Sequence, residues 1–278
     1  MGNEVTDILL GQEDKSEKKQ SANISDQPKM HTEFIYGARK EEDANGLIGR
    51  VRPEFMVMIG LEEYGKTTFL GSLYHQLRST GRIDKQLLID SDTLAGFENK
   101  IFLRAMNKEG KSDVIRTTGK DAFILSLDLQ EVQSGAKRQI IISDRAGETY
   151  YQYVSSDALV AKDKTLTRAD RVLLFVDSEK LMTTQYVSMM DDYRTLLKRL
   201  KDVGKYPSDA VLYAVFNKID KIDAKSATFK KRKESIINIF KMLKENVDKV
   251  FEVDSKHLLP DENTSDIWEL QRILVNPL

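Results

Sequence analysis

The chain has 278 residues, 43 basic and 44 acidic side chains for a net charge of -1, and no cysteine. A balanced charge excludes a global field that would gather nucleic acid or anionic lipid, and the missing cysteines exclude disulfides, thiolate metal sites and a thiol nucleophile. No apolar run approaches the ~20 residues of a membrane helix and no signal-peptide order opens the sequence, so a soluble, cytoplasmic protein is expected.

Residues 1–48 are polar and charged, as in "GQEDKSEKKQSANISDQPK". Such a composition buries too little apolar surface to offset the entropy of ordering, and a disordered tail or arm is expected. A docking peptide is the alternative, with the apolar "DILL" at Asp7 to Leu10 as its anchor. Met1-Gly2-Asn3-Glu4-Val5-Thr6 also fits the minimal myristoylation pattern.

The remainder, 49–278, is expected to form one domain. It opens with "EFMVMIG" at 54–60, a buried strand, followed by a helix over about 66–79. An insertion at about 80–116 is expected to be helical, with Leu94, Phe97, Ile101 and Ala105 on one face and Ser91 or Asp92 as cap. Phe123, Leu125, Leu127 and Leu129 alternate in "DAFILSLDLQEV"; with the turn "SGAK" and "RQIIISD" they predict an antiparallel hairpin. Further strands are expected at 171–177, 210–217 and 249–255, separated by helices at about 179–202, 228–247 and 264–275. The last helix would pack Ile267, Leu270 and Leu274 on the sheet. Apolar strands alternating with helices predict an α/β fold, a mostly parallel sheet covered on both faces.

In such a sheet ligands sit beyond the carboxyl ends of the strands, and several of those ends carry polar signals. Gly60-Leu61-Glu62-Glu63-Tyr64-Gly65-Lys66-Thr67 matches G-x-x-x-x-G-K-[ST] between a strand and a helix. Its backbone N–H groups and the helix N-terminus suit phosphates, Lys66 would reach the β- and γ-phosphates, and the Thr67 hydroxyl would ligate Mg²⁺. Gly60, Glu63, Tyr64, Gly65, Lys66, Thr67 and Thr68 are the candidate phosphate-side residues. The loop binds through its backbone, so Glu62 and Glu63 are compatible with an anion, although they add negative potential near it. Asp144-Arg145-Ala146-Gly147 follows the next strand; Asp144 would hold Mg²⁺ and the Gly147 N–H would sense a γ-phosphate. Asn217-Lys218-Ile219-Asp220 follows a later one. The Asp220 carboxylate accepts two donors that guanine offers and adenine does not, with Lys218 over the ring and Asn217 tying this loop to the phosphate loop. Ser255 and Lys256 in "VFEVDSK" would flank the base, or form a plain surface loop. In "IRTTGKD", Thr117 or Thr118 would bring a hydroxyl to Mg²⁺ and the γ-phosphate, while Arg116 would neutralise the transferring group or simply be solvated.

The order and spacing of these motifs resemble the TRAFAC-class, Ras-like P-loop GTPases over about residues 52–260. "DSDTLAGFENKIFLRAMNKEG", "RTTG" and "ISDRAGETY" are similar to the bacterial double-GTPase group of conflict and defence systems. The resemblance implies a six-stranded G domain with one antiparallel strand, GTP/GDP and Mg²⁺ as ligands, and two loops that close on the γ-phosphate. Two departures stand out. Glu62 occupies a position that is often glycine, which is at odds with a Ras-type activating partner. Glu148 stands where many relatives have a water-orienting glutamine. It would orient water or act as base, or it is a salt-bridge residue. Tyr150, Tyr151 and Tyr153, close to the second switch, form a nucleotide-dependent partner surface or pack the switch helix.

His31, His75 and His257 are too scattered for zinc, and "KSATFKKRK" is a basic cluster for RNA or an acidic partner, or a solvated helix end. The expected function is thus a GTPase switch that works slowly or on assembly. A non-hydrolysing GTP-binding scaffold is the alternative; a GTP-independent module would leave Lys66, Thr67, Asp144 and Asp220 without a purpose.

Overall fold

The computed structural model describes residues 39–40, 52–102, 123–256 and 265–278. The expectations placed on 1–38, on Arg116, Thr117 and Thr118, and on His257 lie outside the described residues.

The frame is one sheet in the order β3-β4-β5-β6-β2-β7-β8-β9. Its parallel half comprises β6 (Lys137–Asp144), β2 (Glu54–Ile59), β7 (Arg171–Asp177), β8 (Val211–Asn217) and β9 (Lys249–Val253). These strands are apolar runs because both their faces are covered: all seven residues of β7 and residues 55–59 of β2 are buried. The helices that cover them are amphipathic. α1 (Lys66–Thr80) buries Phe69, Leu70, Leu73 and Leu77, and α6 (Tyr186–Asp202) buries Met189, Tyr193, Leu196, Leu197 and Leu200. Each such side chain contributes about 1.5–3 kcal/mol when removed from water. α3 (Gly147–Ser155), α4 (Asp157–Lys162), α5 (Ser178–Leu181), α7 (Ala227–Phe240) and α8 (Ile267–Val275) complete the helical cover.

Two expectations are corrected on the antiparallel side. Among the described residues the sheet has nine strands rather than six, and more than one is antiparallel to its neighbours. β5 (Phe123–Glu131) pairs antiparallel with β6, as the hairpin pattern predicts, but β4 (Gln86–Asp90) and β3 (Arg82–Ile83) then extend the sheet antiparallel past β5. The insertion is therefore only partly helical. It begins with a tight hairpin whose turn places Asp84 at φ 52°, and only then enters α2 (Leu94–Phe102). α2 packs through Phe97, stacked on Tyr74 with centroids 5.0 Å apart. Arg39–Lys40, within the stretch expected to be tail, forms β1 and pairs with Phe123 and Ile124, in line with β4 along the same edge of β5.

An ionic staple fixes the opposite end of the sheet. Glu54 lies between Arg138 and Arg171, and Arg171 donates to the Asn276 carbonyl at 2.6 Å, holding the end of α8 against β2, β6 and β7. Burial raises the Glu54 pKa despite the pull of both arginines. The other end of the parallel strands is left free for chemistry.

Candidate functional site

The loop between β2 and α1 is shaped by close approaches. Gly65 has φ 84°, and a Cβ there would fall 1.9 Å from Asn217 Nδ2, so both backbone and neighbour demand glycine. A Cβ on Gly60 would lie 2.9 Å from the Phe175 Cβ. Glu63 holds φ 67° without being glycine, a conformation that costs about 1–2 kcal/mol and is found where a loop is over-determined by its surroundings. No side chain caps the N-terminus of α1 and its first turn contains no acidic residue. Its first N–H groups and positive dipole end are therefore not offset by a carboxylate of the helix itself.

Lys66 is buried, and its ammonium donates to the carbonyls of Gly60 at 2.5 Å and Leu61 at 3.1 Å. Burial pushes its pKa down to about 8, against the opposing pull of Asp144, Glu148 and Glu62. It is thus a cation held in place by carbonyls and drawn toward nearby carboxylates, which an arriving phosphate can outbid.

Asp144 ends β6 and is fully buried. Three residues on, the chain runs directly against the loop between β2 and α1: a Cβ on Gly147 would lie 2.3 Å from the Glu62 backbone. Only glycine fits. Arg145, between them, is locked into a buried cluster, donating to Asp163 Oδ1 at 2.9 Å and Thr165 Oγ1 at 3.0 Å and also contacting the Tyr153 hydroxyl. A cavity of about 200 Å³ separates the loop from this segment and is lined by Glu62 to Thr68 and by Arg145 to Glu148.

Asn217, at the end of β8, donates to the Tyr64 carbonyl at 2.9 Å and accepts from the Ser255 N–H at 3.1 Å. One side chain therefore ties three strand-end loops together. Lys218 takes the left-handed conformation, φ 62°, and its ammonium lies 2.5 Å from the buried carboxylate of Asp177. Asp220 is exposed beside Lys221, 3.3 Å away, and Lys256 is exposed with its N–H on Asp254. Asn217, Lys218, Asp220, Ser255 and Lys256 are not walls of the cavity; Asn217 joins them to it through Tyr64.

The family described as Double-GTPase 2 matches residues 54–265 of this sequence. The chain belongs to that family of P-loop GTPases. Among solved structures, the Ski7 GTPase-like domain of S. cerevisiae, bound to GTP, is 12% identical, with a TM-score of 0.47. The alignment covers 80% of this chain and 49% of that one, so the chain spans about half of that structure's length. No curated protein matches the sequence.

For magnesium, the double-GTPase offers hard oxygen donors beside the phosphate loop, the Thr67 hydroxyl and the Asp144 carboxylate. Mg²⁺ keeps several waters and takes further oxygens from phosphate, so a sparse set of protein ligands fits it. No group of three or more His, Asp or Glu side chains that could hold a metal ion occurs among the described residues.

The expectation of a tyrosine partner surface is corrected. Tyr150 is fully buried with its hydroxyl on the Met58 carbonyl at 2.7 Å, and Tyr153 is buried against the Arg145 cluster. Only Tyr151 faces outward, 40% exposed. The spacing carried the signal: in a helix, residues three apart share a face, so Tyr150 and Tyr153 point inward together and Tyr151 does not. The double-GTPase also has site residues that strand-by-strand reading passed over. Asp177 closes β7 at the same level as Asn217 closes β8, and its carboxylate accepts from Lys218 Nζ and from the Lys180 N–H at 3.0 Å.

Proposed function

We propose that this double-GTPase binds GTP and GDP with Mg²⁺ and hydrolyses GTP to GDP as a molecular switch, slowly alone and faster in assembly with a protein partner. The observation that carries the reading is the Asn217 side chain. By bonding both Tyr64 and Ser255, it sets the guanine-reading tetrapeptide at a fixed position relative to the phosphate loop.

In this reading the phosphates lie along the loop from Glu63 to Thr68, with Lys66 exchanging its carbonyl partners for phosphate oxygens. Asp220 accepts the ring N–H and the exocyclic amine of guanine, Lys218 packs along the base, and Ser255 and Lys256 close its far side. Thr67 and Asp144 would hold Mg²⁺, which when bound neutralises charge on the β- and γ-phosphates. The Gly147 N–H senses the γ-phosphate. Glu148, on the cavity wall, orients water; the new bond forms from that water to the γ-phosphorus as the bond to the bridging oxygen breaks, releasing GDP and phosphate. Roles for Arg116, Thr117 and Thr118 rest on the sequence motif alone. So does a place in a bacterial conflict system, which follows only from the resemblance of the insertion and switch segments. The domain boundary at about residue 49 is part of the same proposal.

Glu148→Ala tests the hydrolytic step. Removing a group that positions or deprotonates water costs about 10²-fold or more in rate. In a single-turnover assay with radiolabelled GTP, the variant is expected to bind GTP within about threefold of wild type and to release phosphate at least about 10²-fold more slowly. Equal rates would remove Glu148 from the mechanism. A second reading, a GTP-binding scaffold, is favoured by the three carboxylates Glu62, Glu63 and Glu148 in the cavity wall, which oppose build-up of negative charge there. Tight binding by wild type with no phosphate release would select it.

A further inference from the structure

Two glutamates in a phosphate loop add negative charge beside an anion site, where Lys66 donates to the Gly60 and Leu61 carbonyls. A second cation lies across the crest of the same loop. Lys180, in α5 just after β7, places its ammonium 3.4 Å from the Glu62 carbonyl, 3.5 Å from the Glu63 carboxylate and 5.5 Å from the centre of the Tyr64 ring. Its backbone is anchored, since the buried Asp177 carboxylate accepts from the Lys180 N–H. Its side chain is not, being 29% exposed and held by contacts that are all long. Compared with the 2.5 Å bond of Lys66, these are contacts that a stronger anion can displace.

We propose that Lys180 is a specificity-determining residue for the phosphate chain, a tethered cation that neutralises Glu63 in the empty site and turns to the terminal phosphate when a nucleoside triphosphate enters. The proposal rests on the guanine-nucleotide reading of the site. Glu63 lines the cavity, so an ammonium paired with it stands at the cavity's edge. A triphosphate carries more negative charge than a diphosphate and places the excess nearest the crest, where Glu62 and Glu63 oppose it. A cation that turns from Glu63 to the terminal phosphate offsets that excess charge and therefore favours GTP over GDP. This explains why the loop tolerates paired glutamates: Glu63 stores the cation beside the site.

The test is binding of fluorescent GDP and of the fluorescent imido analogue of GTP, both with Mg²⁺, to the full chain and to Lys180→Ala, Lys180→Arg and the double variant Glu63→Gln/Lys180→Ala. Lys180→Ala is expected to weaken the triphosphate analogue about tenfold and GDP by less than about threefold. Lys180→Arg is expected to stay within about threefold of wild type for both. The double variant should recover most of the loss, because the carboxylate that opposes the phosphate charge is gone. Equal losses for the two nucleotides, or none, overturn the role of Lys180 while leaving the nucleotide site standing. Failure of wild type to bind either nucleotide overturns the reading of the site and this role with it.

Discussion

Lys66→Ala is expected to lower guanine-nucleotide affinity by at least about 10²-fold, as measured by calorimetric titration, because it removes a desolvated cation from the heart of an anion site. The charge on Lys66 also makes the stability of the nucleotide-free protein depend on pH. Burial lowers the Lys66 pKa from 10.5 to about 8, so below pH 8 the folded state carries a charged group that it would rather hold neutral. Its folded pKa lies below its unfolded one, so the unfolded chain binds more protons between about pH 8 and 10.5. The Lys66 contribution to stability therefore rises across that window and is at its most unfavourable below it. Lys66→Ala should remove this dependence, so the thermal midpoint of the nucleotide-free wild type, measured relative to the variant, should rise between about pH 8 and 10.5. Phosphate needs the protonated lysine. Nucleotide affinity of wild type should accordingly be flat up to about pH 8 and fall by up to about tenfold per unit above it. A wild-type midpoint that does not rise relative to the variant above pH 8, or an affinity that rises there, would contradict the place given to Lys66.

The largest effect on stability is expected from Arg145→Ala. The Arg145 and Asp163 side chains are 3% and 0% exposed, and their bond is supported by Thr165 and the Tyr153 hydroxyl. Removing the guanidinium leaves a fully buried carboxylate without its counter-ion, which costs about 3–5 kcal/mol. Asp163 retains the N–H groups of Thr165 at 2.8 Å and Leu166 at 3.1 Å, which places the expectation near the lower end of that range. In urea unfolding Arg145→Ala should lower the midpoint strongly, and Arg145→Lys should recover only part, since a lysine cannot make the paired guanidinium contacts. The double variant with Asp163→Ala should cost less than the sum of the two single changes. Additive losses would mean the pair does not act as a unit. The cluster matters beyond stability because Arg145 sits between Asp144 and Gly147, and it ties that segment to the connection following α4.

What was legible in the sequence and what was not separates by chain distance. The parallel strands read correctly because strands covered on both faces are unbroken apolar runs, and their ends carry residues with a local logic. Gly65 is demanded by its positive φ and the Asn217 side chain, Gly147 by the close Glu62 backbone, and Asn217 by the bonds it makes on either side. The β3–β4 edge was missed because its strands have two and five residues and little apolar alternation, which is too short a pattern to distinguish from a helix approach. Arg145 with Asp163, Lys180 over residues 62–64, and Arg171 with the end of α8 link residues 18 to 118 positions apart in the chain. No local period announces such pairs. The tyrosines are a different case. Residues three apart on a helix share a face, so packing of the switch helix, the alternative to a partner surface, holds for Tyr150 and Tyr153, while Tyr151 faces outward.

The central claim, a guanine-nucleotide site built around Lys66, Asn217 and Asp220, is tested most directly by titrating the wild-type chain with GDP and with ADP in Mg²⁺ by calorimetry. The account predicts one bound GDP per chain and ADP weaker by at least about 10³-fold, because adenine would leave the Asp220 carboxylate without its donors. Equal affinities for the two nucleotides, or no binding of GDP, would contradict it.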